Sequence, residues 1–122
     1  MKFVIHEHFA SRHHYDLRLE MEGVAKSWAV PKGMPLKKGE KRLAIQVEDH
    51  SLDYMVFEGE IPEGYYGAGR VLIWDKGEYE LLKFTDKEIK VKLMGKKLNS
   101  VYVLLKFPKA GENAWLVILT GL

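Results

Sequence analysis

The sequence predicts an all-β, mainly antiparallel fold: a small closed β-barrel of about eight strands with little helix. Three observations carry this. Segments rich in Val, Ile, Leu, Tyr and Phe are short and recur along the whole 122-residue chain. Glycine and proline punctuate them, as turns between strands require. So many short strands in so few residues would leave exposed edges, and closure removes them. A two-sheet sandwich is the alternative arrangement.

In chain order, the predicted strands cover residues 2–8, 14–22, 24–30, 42–48, 54–60, 70–74, 79–84, 89–94, 101–107 and 115–120. Two stretches read as loops. Residues 31–41 contain Pro31-Lys32-Gly33 and Pro35, and residues 62–69 read Pro-Glu-Gly-Tyr-Tyr-Gly-Ala-Gly. Glu88-Ile89-Lys90-Val91-Lys92-Leu93 alternates as a half-buried strand does. Gly95-Lys96-Lys97 then suits a turn, predicting a hairpin with 101–107.

The hydrophobic fraction of 47% is enough for a core, and the 30% of charged residues is ordinary for a soluble surface. A formal net charge of +2 is too weak to hold nucleic acid by charge alone, so any such contact should be local and short. There is no cysteine, which excludes disulfides, thiolate zinc sites and cysteine nucleophiles. No cationic segment followed by an apolar one opens the chain. The longest apolar runs, such as 115–119, are too short to span a bilayer. These features predict a soluble, cytoplasmic, monomeric protein with no membrane contact, folded as one domain over residues 1–122.

The histidines are unevenly placed. His6, His8, His13, His14 and His50 all fall in the first fifty residues. In a strand, residues i, i+2 and i+4 share a face. In His14-Tyr15-Asp16-Leu17-Arg18-Leu19-Glu20, one face carries His14, Asp16, Arg18 and Glu20, and the core face carries Tyr15, Leu17 and Leu19. A return of the chain through 9–13 would bring His8 to His14 and Asp16. Two imidazoles and a carboxylate with open positions suit Mn²⁺, Fe²⁺ or Zn²⁺. Arg18, one step along, is suited to a phosphate ester. The plain alternative is a solvated outer face. A second strand places Arg42, Gln46, Glu48 and His50 on one face and Leu43, Ile45 and Val47 on the other. Tyr54 follows, and by itself reads as an aromatic at a strand edge.

At this point the chain resembles the 3′-phosphoesterase domain of bacterial DNA ligase D, the end-joining ligase, and its stand-alone archaeal relatives. The matching residues are Phe3-Val4-Ile5-His6-Glu7-His8, His14 to Glu20, Lys26-Ser27-Trp28-Ala29-Val30-Pro31-Lys32-Gly33, Lys41-Arg42-Leu43-Ala44 and Val47 to Tyr54. Phe57-Glu58-Gly59, Ile61-Pro62-Glu63-Gly64 and Tyr66-Gly67-Ala68-Gly69 complete the set. They run in order over nearly the whole chain.

The resemblance implies a manganese-dependent phosphoesterase, with zinc or cobalt as other admissible ions, acting in end-joining DNA repair. It implies removal of a 3′-phosphate from DNA or RNA ends on a primer-template, and resection of 3′ ribonucleotides. His8, His14 and Asp16 would be metal ligands; Arg18 and His50 would hold the phosphate with Tyr54 beside them. Lys32 and Arg42 would neutralise phosphate charge, and Glu48 would orient a ligand or base from behind. Bacterial members carry an N-terminal arm before the Phe-Val-x-x-x-His segment, which serves ribonucleoside removal. The present sequence begins at Met1-Lys2-Phe3. The expectation is therefore a stand-alone enzyme that removes 3′-phosphate and works with a separate repair ligase and polymerase. Two other readings compete. One is a non-catalytic module that recognises 3′-phosphate ends, with Tyr65 and Tyr66 stacking on a base. The other is a small-molecule or cyclic-phosphate esterase. For the 62–69 loop itself, a tight barrel corner needing glycine is the preferred reading.

Overall fold

In the computed structural model, which describes residues 1–121, nine strands form one antiparallel sheet. They are β1 (Lys2–Phe9), β2 (His13–Met21), β3 (Val24–Val30), β4 (Lys41–His50), β5 (Gly59–Ile61), β6 (Gly69–Phe84), β7 (Glu88–Gly95), β8 (Val101–Lys106) and β9 (Ala114–Leu119). The order is β1-β2-β3-β4-β9-β8-β7-β6, and β6 pairs back to β1. That pairing closes an eight-stranded barrel and excludes the sandwich. The ninth strand, β5, sits outside the ring on the edge of β6.

Alternation decides what lies inside. Phe3, Ile5, Leu17, Leu19, Trp28, Leu93, Leu104 and Val117 fill the interior. Trp28 and Trp115 meet edge to face with ring centres 5.9 Å apart. Each such side chain, fully buried, contributes about 1.5–3 kcal/mol. The hairpin of residues 88–107 forms as predicted, Glu88 opposite Leu105 and Lys92 opposite Val101.

Two strand predictions are corrected. Residues 70–74 and 79–84 are one 16-residue strand. Gly77 between them is no turn: a Cβ there would strike the Met94 carbonyl, so glycine admits close approach of β7. Of the predicted strand 54–60, only residues 59–60 are extended, as the start of β5. Leu52–Val56 is a 3₁₀ turn, with Tyr54 N–H donating to Ser51 O and Phe57 N–H to Tyr54 O. The threefold period puts Tyr54 and Phe57 on one side, stacked at 5.2 Å, and drives Met55 against Val4, Ala25 and Ile73. This turn lies on the outside of β1 and β3. Among the described residues no helix is long and apolar enough to cross a membrane.

Candidate metal and phosphate site

The outer face of the β1–β2 hairpin carries the site. Its register sets His8 opposite His14, His6 opposite Asp16 and Val4 opposite Arg18. His8 Nδ1 lies 3.2 Å from His14 Nε2, and Asp16 Oδ2 lies 3.6 Å and 3.3 Å from these two nitrogens. The other ring nitrogens are committed. His8 Nε2–H donates to Gly67 O at 2.8 Å, and His14 Nδ1–H donates to Arg12 O at 2.9 Å. That leaves His8 Nδ1 and His14 Nε2 facing each other and Asp16 Oδ2, where each can share a proton with the carboxylate or turn a lone pair toward a cation. Ligands about 2.1 Å from a divalent ion sit roughly 3.0–3.4 Å apart in octahedral or tetrahedral arrangement. Two of the three separations fall in that range and the 3.6 Å one lies just above it, so the donor set fits a metal with a small side-chain adjustment, and backbone carbonyls orient each imidazole from behind.

Charge within the cluster is mutually arranged. Burial pushes the Asp16 carboxyl up, but hydrogen bonds from His14 and His8 and the charge of Arg18 outweigh it and hold it below the usual carboxylate range. The hydrogen bond to Asp16 raises His14 against its own burial.

Arg18 is fixed on three sides. Its Nε–H donates to His6 Nδ1 at 3.0 Å, and NH1 donates to Ser27 Oγ at 2.8 Å and lies 3.1 Å from His50 Nδ1. Among the described residues NH2 meets only Asp16 Oδ2, at 3.5 Å, which leaves donor capacity toward the cavity. The guanidinium rests 4.8 Å from the centre of the Tyr54 ring, and His50 tilts against that ring at 4.7 Å. His6 completes the relay: Nε2–H donates to Phe57 O at 3.0 Å, so its Nδ1 is free to accept from Arg18. Burial and the Arg18 charge lower the His6 pKa to about 4 and keep it neutral. His50 is lowered too, by burial and then by Arg18. The Glu48 carbonyl, 3.1 Å from His50 Nδ1, competes with Arg18 for that nitrogen: one contact needs it protonated, the other bare.

A β-bulge brings His50 here. Ser27 pairs with Val47, but Ala25 pairs with His50, so residues 48–49 oppose the single residue 26. The slip moves His50 onto the outer face with Val47. Plain alternation had grouped His50 with Arg42, Gln46 and Glu48, and that grouping is corrected. Ala44 is fully buried in the core and Gln46 Oε1 accepts from the core Trp115 Nε1 at 3.1 Å, so their side of β4 is the inner one.

The structure brings six expected residues into one cavity of about 980 Å³: His8, His14, Asp16, Arg18, His50 and Tyr54. Lys32, Arg42 and Glu48 do not line it. Lys32 is exposed on the turn after β3, Arg42 pairs with Glu40 at 3.3 Å, and the Glu48 side chain is exposed. The solvated-face reading does not hold, since Asp16 and Arg18 are only 5% and 4% exposed. Two supporting residues escaped the sequence reading. His6 was visible as a histidine sharing the His8 face. Ser27 was not, because its place opposite Arg18 follows only from the β2–β3 register.

Barrel and site together define a small all-β protein with a candidate metal centre beside a phosphate-sized cationic group. The chain matches the family described as the DNA Ligase D 3′-phosphoesterase domain over residues 6–106 and belongs to that family. It is 51% identical over 108 residues to the multifunctional non-homologous end joining DNA repair protein LigD of Mycobacterium tuberculosis, covering 85% of this chain and 14% of that protein. It is 48% identical over 126 residues to the LigD protein of Mycolicibacterium smegmatis, covering 94% of this chain and 16% of that one. For the LigD protein of Pseudomonas aeruginosa the figures are 44% over 124 residues, 97% and 15%. The chain thus spans about one-seventh of the length of these relatives.

Proposed function

We propose that this protein is a divalent-metal-dependent phosphoesterase that removes 3′-phosphate from DNA or RNA ends, leaving the 3′-hydroxyl that end joining requires. The observation that carries this is the convergence of His8 Nδ1, His14 Nε2 and Asp16 Oδ2 within 3.2–3.6 Å beside a buried arginine. His8, His14 and Asp16 would hold the ion. Bound there, it supplies Lewis acidity toward a phosphate oxygen, with manganese the ion that the family resemblance favours.

The remaining work belongs to the chain. Arg18 presents NH2 to a second phosphate oxygen, already oriented by His6, Ser27 and His50, so no reorganisation accompanies charge development. When Arg18 donates to His50 Nδ1, the His50 proton sits on Nε2, available to a third oxygen. Burial raises the Tyr54 phenol, which therefore stays a donor at neutral pH. Water attacks phosphorus, the P–O3′ bond breaks, and the departing sugar oxygen takes a proton. Lys32, Arg42 and Glu48 have no part in this scheme. Ribonucleotide resection would use the same phosphate contacts on a diester.

The test is 3′-end analysis of a labelled primer-template ending in 3′-phosphate, with manganese, with EDTA, and with His14→Ala. Conversion to 3′-hydroxyl that requires manganese and is lost in the variant is the expected result. Tight binding without conversion under manganese, cobalt or zinc would replace this reading with the end-recognition module.

A further inference from the structure

Tyr65 and Tyr66, at the tip of the 62–69 loop, are 69% and 75% exposed. The loop beneath them is pinned. Tyr65 N–H donates to Pro62 O and Ala68 N–H to Tyr65 O, two successive turns. Gly64 and Gly67 take φ of +89° and +76°, which only glycine adopts without strain. At Gly69 a Cβ would collide with the Phe9 carbonyl, so the loop is packed directly on the β1–β2 hairpin. The Gly67 carbonyl is also the acceptor that orients His8. The corner reading is thus right for the glycines and leaves the tyrosines unexplained.

Of the two, only Tyr66 lines the cavity that holds His8, His14, Asp16 and Arg18. Phe9, 42% exposed and stacked on His13 at 4.8 Å and 13°, lines the same cavity. A cavity of about 980 Å³ is sized for a nucleoside and more, far beyond a phosphate group. Glu60 and Glu63 line the same cavity, and neither attracts a polyanionic backbone, which favours an apolar contact at Tyr66.

We infer that Tyr66 is the stacking platform of a nucleobase subsite, holding the base of the 3′-terminal nucleotide while its phosphate lies on Arg18 and His50. Every base has a π-face, so the subsite accepts any terminal base and rejects its absence. This rests on the phosphoesterase reading and adds to it the group recognised next to the phosphate.

The experiment is steady-state kinetics with manganese on two oligonucleotides ending in 3′-phosphate, identical except that one has an abasic terminal residue. Wild type, Tyr66→Ala, Tyr66→Phe and Tyr65→Ala are compared. On the ordinary end, Tyr66→Ala should raise KM about 10- to 100-fold with kcat nearly unchanged, and Tyr66→Phe should restore it. On the abasic end, wild type and Tyr66→Ala should coincide, and Tyr65→Ala should match wild type on both. An equal penalty for Tyr66→Ala on both ends, or none on the ordinary end, overturns the subsite and leaves the phosphoesterase standing. A fall in kcat on both ends would instead assign Tyr66 to loop geometry and also overturn the subsite. No turnover by wild type overturns both readings.

Discussion

The two faces of β1, β2 and β3 are buried alike and held by opposite means. Inward, Phe3, Ile5, Leu17, Leu19 and Trp28 pack by apolar contact alone. Outward, His6, Asp16, Arg18 and Ser27 are equally hidden, but their polar side chains answer one another. The lid on the outer face is the Leu52–Val56 turn with the segment that follows it. The difference teaches that burial and core are separate properties here. The inner face makes stability, whereas on the outer face burial lowers the dielectric around a few charges, which would strengthen them toward the proposed phosphate.

The largest expected effects separate the faces cleanly. Asp16→Asn should cut metal-dependent turnover by about 10³-fold or more, several kcal/mol of lost transition-state stabilisation, while near-UV circular dichroism stays native. Trp28→Ala should do the reverse, destabilising by about 3–5 kcal/mol in urea unfolding with near-normal kcat wherever the chain remains folded. If Asp16→Asn unfolds the protein, or Trp28→Ala lowers kcat as much as stability, the division of labour is wrong.

A smaller effect probes how the outer face is wired. His6 touches no expected ligand atom, yet it accepts from Arg18 and donates to Phe57. His6→Ala should lower kcat/KM about 10- to 100-fold. His6→Gln should recover most of that, since an amide offers both an acceptor and a donor. Equal loss in both variants would mean that ring shape, set edge to face against Tyr54, matters more than the hydrogen bonds.

The smallest effect belongs to the inner face and to alkali. Burial raises the Tyr79 phenol, whose O–H donates to Glu20 O at 2.6 Å, to about 12. Below pH 10 both folded and unfolded states keep that proton. Between pH 10 and 12 only the unfolded state releases it, so stability falls as pH rises through this window. Tyr79→Phe should flatten that part of the profile, measured by urea unfolding at each pH. An unchanged alkaline slope would show that Tyr79 is not its source.

Much of this was legible in the residues. Alternation in 14–20 separates Leu17 and Leu19 from Asp16 and Arg18 with no further information, because strand geometry has a period of two. The return at 9–13 that sets His8 against His14 follows from the same geometry. Alternation failed where the backbone left its period. At residues 48–49 a bulge carried His50 to the other face, and at 52–56 a threefold turn replaced a strand.

The sequence by itself determined the all-β class, the faces of β1 and β2 and the His8, His14, Asp16 and Arg18 group, since these depend on local pattern and short-range pairing. Only the tertiary structure decided that β6 closes on β1, that Ser27 and His6 hold Arg18, that His50 joins it, and that the polar face lies under cover. Those features arise from register between strands distant in sequence. A one-residue slip in register reverses every side chain, and no local pattern records it.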